Sequence, residues 1–334
     1  MRNDVADNPR AMDTVQPDEG LRRLAPAISV VVPVFNEEAL IAELHERLTS
    51  VLLGIGRSYE IVIVDDGSRD ASLERLAALA AVDPCLRVLG FSRNFGHHIA
   101  ISAGLDYCRG EYVIVMDGDL QHRPEDIPRF VAALEEGGYD VVAGVRRPVQ
   151  VSWFKRQTSR VFNGLMRRTI RENIHIDSNI FRIMRRKVVR SFNRCREHSR
   201  FVTGLFGWVG FKRGEIEIEL DARRAGASKY SLLRMIRLAV NSMTAFSYFP
   251  LELCSYTGCV MASLSFTYGF YLILRKLFLN TAVEGWTSLT CTVFFVGGIQ
   301  MLMLGVIGSY LGRVYTEVQN RPLYIIDQAL NCDE

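Results

Sequence analysis

Two long stretches without a formal charge lie near the C-terminal end of this 334-residue chain. Cys254–Leu274 has 21 residues and Trp286–Leu311 has 26. At about 1.5 Å per residue, a helix of either length crosses a hydrocarbon core of about 30 Å. Buried helices of a soluble protein are the alternative, although helices that are apolar on every side are uncommon there. Because the connector Arg275–Gly285 is short, we predict a transmembrane helical hairpin over 250–312, with spans at about 253–274 and 287–311.

The first two thirds of the chain follow a different pattern, in which short β-branched runs alternate with segments of helical apolar spacing such as Glu38–Leu53 and Leu73–Ala81. The runs are Ile28–Val34, Tyr59–Val64, Leu86–Phe91, Tyr112–Met116 and Asp140–Val145. Nearly continuous apolar strands that alternate with helices are typical of a parallel sheet covered on both faces. We therefore predict an α/β fold with a Rossmann-like, mostly parallel sheet over residues 27–227.

The segments around these two parts are polar or amphipathic. Residues 1–26 are polar and lack the apolar core of a signal peptide, so we expect a flexible tail and a folded domain that stays in the cytoplasm. Residues 228–249 mix apolar and basic side chains at helical spacing. This pattern predicts an amphipathic juxtamembrane helix, or alternatively a helix packed on the domain. With 313–334 as a cytoplasmic C-terminal tail, the chain is expected to be a multi-pass protein of the inner (cytoplasmic) membrane.

The charges are segregated, although the formal net charge is only +3. Residues 1–145 carry 13 basic and 24 acidic groups, residues 146–237 carry 23 and 7, and residues 238–334 carry 4 and 6. Each Lys or Arg beside an anionic leaflet contributes about 1 kcal/mol to membrane binding. The basic middle segment therefore predicts contact with the membrane surface or with phosphate groups, and for any single arginine both explanations stay open.

Acidic side chains follow two of the predicted strands at their carboxyl ends, where open α/β sheets bind ligands. Asp65 and Asp66 follow the second strand, and Asp117 and Asp119 follow the fourth. Residues two apart in an extended chain point to the same side, so the second pair suits a divalent cation, and Gln121 adds a third oxygen. We predict that these three side chains bind Mg²⁺ or Mn²⁺, which holds a nucleotide diphosphate.

Several motifs occur in a fixed order along the chain. They are VVPVFNE (31–37), VDDGSRD (64–70), SRNFGHHIAISAGLDYCRGEYVIVMDGDLQHRPED (92–126), G-x-R (144–146), R-x-x-G-x-S-K-Y (223–230) and NRPLYII (320–326). Together they resemble the membrane-bound polyprenyl-phosphate glycosyltransferases, which are inverting family-two enzymes with a GT-A fold. This family includes the bactoprenol glucosyltransferases and, more distantly, the dolichol-phosphate mannose synthases. The resemblance runs from about residue 27 to residue 326.

The resemblance also implies roles for individual residues. It places the nucleotide site at Pro33, Phe35, Glu37, Asp65, Asp66, Asp117, Gly118 and Ser228. It places the catalytic centre at Asp119, Asp177, Arg146, Arg223 and Lys229, with the metal on Asp117, Asp119 and Gln121. We expect Asp177 to hold a sugar hydroxyl or to position an arginine, and not to act as the base. The family motif D-x-G-x-F-R reads D-S-N-I-F-R here, with Asn179 in place of glycine, and this departure leaves the identity of the sugar open.

The implied reaction transfers a hexose, with glucose from UDP-glucose favoured, to undecaprenyl or another polyprenyl phosphate for modification of cell-envelope glycans. UDP-GlcNAc, GDP-mannose and UDP-aminoarabinose are alternative donors, and a polysaccharide synthase is an alternative enzyme. The resemblance also implies a homotetramer. A nucleic-acid binder is disfavoured because the acidic strand ends repel phosphate in the absence of metal. Dinucleotide and P-loop motifs are absent from the sequence, and its seven scattered cysteines lack a C-x-x-C pair, which argues against structural zinc.

Overall fold

The computed structural model describes residues 26–146, 179–198, 200–219, 249–279 and 285–332. Its strands are β1 (Ile28–Val34), β2 (Tyr59–Asp65), β3 (Leu86–Phe91), β4 (Tyr112–Val115), β5 (Val141–Arg146), β6 (Arg182–Arg185), β7 (Arg213–Ile218) and β8 (Ile326–Leu330). Its helices are α1 (Ile41–Ile55), α2 (Ser72–Val82), α3 (His97–Tyr107), α4 (Ile127–Glu136), α5 (Arg186–Phe192), α6 (Val202–Trp208), α7 (Phe249–Leu279) and α8 (Trp286–Val318).

These eight strands form one sheet in the order β7-β5-β6-β4-β1-β2-β3-β8. Strands β4, β1, β2 and β3 are parallel neighbours, and β5 pairs in parallel with β7. Strand β6 runs antiparallel between β4 and β5, and β8 is antiparallel to β3. The sequence prediction of a mostly parallel, Rossmann-like sheet is confirmed, and all five predicted strands are present.

Both faces of the sheet are covered, which explains why its central strands are almost entirely apolar. On one face, Val30 and Val32 of β1 pack with α1, α2 and α4. On the other face, Val31 packs with α3, α5 and α6. Because the strands are held from both sides, the carboxyl ends of β1, β2 and β4 form a rigid edge on which the connecting loops are placed.

A buried ion pair joins β2 to β3 near their amino ends. Arg87 Nη1 lies 2.9 Å from Glu60 Oε2 and donates a second hydrogen bond to the carbonyl oxygen of Tyr107 at 2.7 Å. The carboxylate of Glu60 also accepts hydrogen bonds from the hydroxyl of Ser29 and the backbone N–H of Arg109. Each charge is therefore satisfied inside the protein, at the end of the sheet opposite to the acidic loops.

The two C-terminal helices are longer than the predicted membrane spans. Helices α7 and α8 have 31 and 33 residues and contact each other. One segment, Thr292–Val318 of α8, is long and apolar enough to cross a membrane, and its most apolar part is not covered by the rest of the structure. The second span, in α7, stays a prediction. The predicted amphipathic helix at 228–249 lies outside the described residues, apart from Phe249, where α7 begins.

The segment predicted as a C-terminal tail, 313–334, contains the end of α8 and a strand. Helix α8 ends at Val318, and the chain then returns to the sheet as β8, where Val88 of β3 pairs with Leu330. The ring of Tyr324 stacks on Phe91 with centroids 5.3 Å apart. Pairing with β3 gives the segment Ile326–Leu330 backbone hydrogen bonds at the edge of the sheet. This explains why the segment forms a strand although its sequence is not strand-like.

A histidine joins the end of α8 to the segment that follows α5. The backbone N–H of His198 donates to Glu317 Oε1 at 2.8 Å, and its Nδ1 lies 3.1 Å from Glu317 Oε2. Its Nε2 lies 2.7 Å from the carbonyl oxygen of Arg321. Both ring nitrogens face acceptors, which favours the protonated imidazole. The hydrogen bond to Glu317, followed by the one to Arg321, raises the pKa of His198.

This contact predicts a pH-dependent contribution to stability. Because the folded pKa of His198 lies above its unfolded value of about 6.5, the contribution is complete below that value and is lost as the pH rises through the folded pKa. The pair of His198 with Glu317 is partly exposed, so we expect it to contribute less than about 1 kcal/mol to the free energy of unfolding. Thermal unfolding of the wild type and of His198→Gln should differ most at about pH 5.5 and least at about pH 8.5. A difference that grows with pH would contradict this assignment.

Candidate active site

The loops after β1 and β2 are tied together by reciprocal hydrogen bonds. The backbone N–H of Asn36 donates to Ser68 Oγ at 2.9 Å, and the backbone N–H of Arg69 donates to Asn36 Oδ1 at 2.8 Å. The N–H of Glu37 donates to Ser72 Oγ at 3.0 Å. Asn36 has a φ of +56°, in the left-handed region that asparagine tolerates. The two segments that the sequence assigned to the nucleotide site therefore form one unit.

Two acidic residues of that unit, Asp65 and Asp66, are buried. The carboxylate of Asp65 accepts hydrogen bonds from the N–H and the hydroxyl of Ser68. The carboxylate of Asp66 accepts from the N–H of Phe95 at 2.7 Å and from Asn94 Nδ2 at 2.9 Å. Burial raises the pKa of both carboxyl groups, against the effect of these hydrogen bonds. The structure gives both residues a role in holding the loops, and their contact with a nucleotide stays a prediction.

The loop between β3 and α3 lies directly against the loop after β2. Gly67 has a φ of +68°, and a Cβ added to it would lie 2.4 Å from the carbonyl carbon of Arg93. The guanidinium of Arg93 lies 4.0 Å from the ring centroid of Phe95, and Phe35 at the end of β1 is exposed. Exposed aromatic and guanidinium planes on adjoining loops are suited to stacking on a flat base.

A tight turn follows β4 and carries the predicted metal ligands. A Cβ on Gly118 would lie 2.8 Å from Val34 Cγ1, so the turn packs directly on β1. Leu120 is buried with a φ of +57°, which is strained for a leucine and costs about 1–3 kcal/mol. The segment from Asp117 to Asp119 is not extended as expected, because the chain turns at Gly118 and Asp119. The two carboxylates have different neighbours, and their shared metal site stays a prediction.

Asp117 lies among imidazoles. Its Oδ1 is enclosed and makes no hydrogen bond of good geometry, although His97 Nε2 lies 3.2 Å away. Its Oδ2 lies 3.5 Å from His122 Nδ1. Burial opposes ionisation of this group, but the contact with His97 and the neighbouring imidazoles of His122 and His98 together lower the pKa of Asp117. Asp117 is therefore a carboxylate at neutral pH.

Asp119 interacts within its own turn. It accepts hydrogen bonds from the backbone N–H of Gln121 at 3.1 Å and from Gln121 Nε2 at 2.7 Å. Two carboxylates and the amide oxygen of Gln121 are the hard donors that Mg²⁺ and Mn²⁺ prefer. Among the described residues, three or more His, Cys, Asp or Glu side chains do not come together as a metal site. The donor set fits a metal that also takes oxygen ligands from phosphate groups.

Residues 29–192 match the family model for Glycosyl transferase family 2. The uncharacterized glycosyltransferase YkcC of Bacillus subtilis (strain 168) is 43% identical over 306 residues, which are 91% of this chain and 94% of that protein. The chain belongs to glycosyltransferase family 2. The undecaprenyl-phosphate 4-deoxy-4-formamido-L-arabinose transferase of Edwardsiella ictaluri (strain 93-146) is 38% identical over 311 residues, which are 92% of this family 2 enzyme and 95% of that one.

Solved structures of other proteins are similar to this family 2 enzyme at a lower level. Glucosyl-3-phosphoglycerate synthase from Mycobacterium tuberculosis, in complex with Mn²⁺, UDP and glucosyl-3-phosphoglycerate, has 19% sequence identity and a TM-score of 0.44. The similarity covers 68% of this chain and 82% of that one. S. aureus TarS in complex with UDP-GlcNAc has 20% identity and a TM-score of 0.42, with 65% and 66% covered.

The structure brings together only some of the residues that the sequence assigned to the active site of this glycosyltransferase. The segments at Pro33–Glu37, Asp65–Asp66 and Asp117–Gln121 lie on loops at the same edge of the sheet. For Arg146 the structure gives the backbone position, at the end of β5. Four predicted residues lie outside the described part of the chain: Asp177, Arg223, Ser228 and Lys229.

Sequence reasoning did not assign His97 and His122 to the site, and it linked Asn179 to the identity of the sugar and not to the turn after β4. His97 is the first residue of α3, and His122 follows Gln121. Both histidines come soon after a predicted strand, and this was the sequence signal that could have assigned them to the site. The contact of His122 with Asn179 has no local signal, because the two are 57 positions apart and meet through the pairing of β4 with β6.

Proposed function

We propose that this glycosyltransferase moves a sugar from a nucleotide donor to undecaprenyl phosphate or another polyprenyl phosphate. The observation that carries the proposal is the turn at Asp117–Gln121, in which ionised carboxylate and amide oxygens lie beside the loops that carry Phe35 and Arg93. Such a turn is suited to bind the diphosphate of a nucleotide through a divalent cation. The adjoining loops are suited to stack on the base of that nucleotide. The names of its relatives, which are undecaprenyl-phosphate transferases, support the polyprenyl phosphate acceptor.

For the donor, we place 4-deoxy-4-formamido-L-arabinose ahead of the glucose that the sequence analysis favoured. Relatives from Edwardsiella, Aeromonas and Pseudomonas that are 38–40% identical over about nine tenths of this chain carry that sugar in their names. UDP-glucose is the second candidate. Asn179, which stands where the family motif has glycine, is the reason to test both.

In the proposed reaction, an oxygen of the acceptor phosphate attacks the anomeric carbon, and the bond from that carbon to the diphosphate breaks with inversion. A phosphate monoester has its second pKa near 6, so the acceptor is largely dianionic at neutral pH and needs no general base. Asp117, Asp119 and Gln121 hold the cation, which when bound supplies positive charge to the departing diphosphate. From the family resemblance alone, we assign Arg146, Arg223, Ser228 and Lys229 to binding the phosphates, and Asp177 to holding the sugar or positioning an arginine.

The acceptor is a lipid, and we propose that the chain meets it at the cytoplasmic face of the inner membrane. Helix α8 contains the apolar segment Thr292–Val318, and α7 beside it exposes large side chains such as Phe266, Phe270 and Phe278. In this proposal α7 and α8 are the two spans, and the basic helix at 228–249 lies in the interface. The homotetramer is carried over from the family resemblance alone.

A donor panel tests the proposal. Membranes that contain the enzyme are incubated with Mn²⁺ and radiolabelled UDP-linked 4-deoxy-4-formamido-L-arabinose, UDP-glucose, UDP-GlcNAc or GDP-mannose. We expect label in an organic-soluble, acid-labile lipid with the formamido sugar, identified by mass spectrometry and absent from Asp119→Asn membranes. A lipid product from UDP-glucose alone would overturn the choice of donor. The absence of a lipid product with all four donors would overturn the proposed acceptor.

A further inference from the structure

A hydrogen-bonded bridge connects the turn after β4 with the residues before β6. The backbone N–H of Asp117 donates to His122 Nδ1 at 3.1 Å, and His122 Nε2 lies 2.8 Å from Asn179 Oδ1. Both bridging side chains are buried, with exposed fractions of 3% and 7%. We call the pair of side chains, His122 and Asn179, the bridge.

The hydrogen bonds define the protonation of the bridge. Nδ1 of His122 accepts from a backbone N–H, so the ring proton is on Nε2 and points to Asn179 Oδ1. The orientation of the Asn179 amide is consistent with this, because the N–H of Phe181 also donates to Oδ1 at 3.3 Å. A flipped amide would place its NH₂ group against two donors. The ring of His122 is therefore held with Nδ1 as the acceptor for the backbone N–H of Asp117 and Nε2 as the donor to Asn179.

The surroundings keep the bridge in place. Strand β6 pairs antiparallel with β4, with Val115 opposite Arg182, and this register brings Asn179 beside the turn. The carbonyl oxygen of Asn179 accepts a hydrogen bond from Arg182 Nη2 at 2.5 Å. The ring of His122 packs on Phe181 with centroids 5.1 Å apart. Asn179 is thus fixed on its backbone side, and its Oδ1 is a stationary acceptor.

Among the described residues, hydrogen-bond partners of the Asn179 amide are found at Oδ1. Its Nδ2 is enclosed and has no hydrogen-bond partner in the part of the chain that the structure describes. An unsatisfied buried donor costs about 1–3 kcal/mol, so the side chain is not explained by its own contribution to stability. Glycine, which the family motif has at this position, offers His122 no acceptor. Oδ1 is therefore the atom through which Asn179 acts, as the hydrogen-bond acceptor for His122.

We propose that Asn179 is a positioning residue, which acts through His122 to hold the backbone of Asp117 in the conformation that binds metal and diphosphate. Without the acceptor, His122 is free to carry its proton on Nδ1, and that N–H would face the N–H of Asp117. The bond that anchors the turn is then lost, while the loops that carry Phe35 and Arg93 are unaffected. This inference rests on the proposed function for the metal and nucleotide, and does not depend on which sugar or acceptor is used.

Two nearly isosteric variants separate the possible roles of Asn179. Asn179→Asp keeps an acceptor for His122 and loses Nδ2, whereas Asn179→Leu loses both. Hydrogen–deuterium exchange of the Asp117 amide reports on the bridge, and the dissociation constant of Mn²⁺ in the presence of UDP reports on the site without turnover. Outer hydrogen-bond partners of metal ligands typically contribute 10–100-fold to metal affinity. For Asn179→Leu we expect faster exchange and about 10-fold weaker Mn²⁺ binding, and for Asn179→Asp we expect both within about threefold of the wild type.

Several results would overturn the inference. Equal losses of Mn²⁺ affinity in Asn179→Asp and Asn179→Leu would show that Nδ2, and not Oδ1, is the important atom. Unchanged Mn²⁺ affinity in Asn179→Leu would show that Asn179 does not position the site. If the Leu variant does not fold, Asn179→Gly replaces it with the same expectation. Adding His122→Ala to Asn179→Leu should cause no further loss, because both act through one hydrogen bond to Asp117. Failure of the wild type to transfer sugar to polyprenyl phosphate would contradict the proposed function, and the exchange and Mn²⁺ measurements would still decide on Asn179.

Discussion

Replacing Asp119 by asparagine is expected to lower the rate of glycosyl transfer by about 10³-fold or more with little change in stability. Its carboxylate accepts hydrogen bonds from Gln121 in its own turn and is not part of the hydrophobic core. The substitution removes one of the two charges proposed to hold the cation, and stabilisation of a departing diphosphate of this kind contributes several kcal/mol. Initial rates at saturating donor, measured over a range of Mn²⁺ concentrations, check the expectation.

A matched control for the loss of charge is Asp327→Asn. Asp327 is exposed on β8, which lies at the edge of the sheet, three strands away from β1. This variant loses the same negative charge and should keep the rate of transfer within about twofold. Activity above a tenth of the wild-type value in Asp119→Asn would show that Asp119 is not required to hold the metal.

Replacing Arg87 by methionine is expected to lower the free energy of unfolding by about 3–5 kcal/mol. The side chains of Arg87 and Glu60 are only 6% and 7% exposed. Loss of the guanidinium leaves the carboxylate of Glu60 buried without its cation, and the carbonyl oxygen of Tyr107 loses its donor. Chemical denaturation of the detergent-solubilised protein, or a fall in its Tm, measures the loss.

The exposed pair of Arg57 with Glu135 is the control for burial. Its two nitrogen–oxygen distances, 2.7 and 3.1 Å, are close to those of the buried pair, but the side chains are 39% and 35% exposed. Arg57→Met should therefore lower the free energy of unfolding by at most about 1 kcal/mol. Equal effects of the two substitutions would mean that burial does not determine the contribution of Arg87.

The sequence predicted the strands that lie at the centre of the sheet and missed those added beside it. Strands β1 to β5 are apolar because helices cover both of their faces. Strand β6 reads R-I-M-R, and the guanidinium of the buried Arg182 in it contacts the ring of Phe206 and backbone carbonyl oxygens. Strand β7 alternates exposed Glu215 and Glu217 with less exposed residues, as an edge strand does. The contacts that accommodate β6 and β7 form when the chain folds, so no local sequence pattern predicts these two strands.

The candidate site, like the sheet, was predicted in part from the sequence. Carboxyl ends of parallel strands share one edge, so the sequence placed Asp66 and Asp117 on neighbouring loops correctly. It could not give the direction of the side chains, because the turn depends on Gly118 packing against β1 and on a left-handed Leu120. It also could not give the bridge, because Asn179 reaches His122 through a strand pairing that the sequence does not reveal.

Strand β8 has a consequence for how the molecule is made. It follows α7 and α8 in the chain, yet it pairs with β3, which is synthesised more than 230 residues earlier. During translation, the edge of β3 stays unpaired until both long helices have left the ribosome, and an open strand edge invites association with other chains. Strand β8 can therefore complete this edge of the sheet only after α7 and α8 have been synthesised.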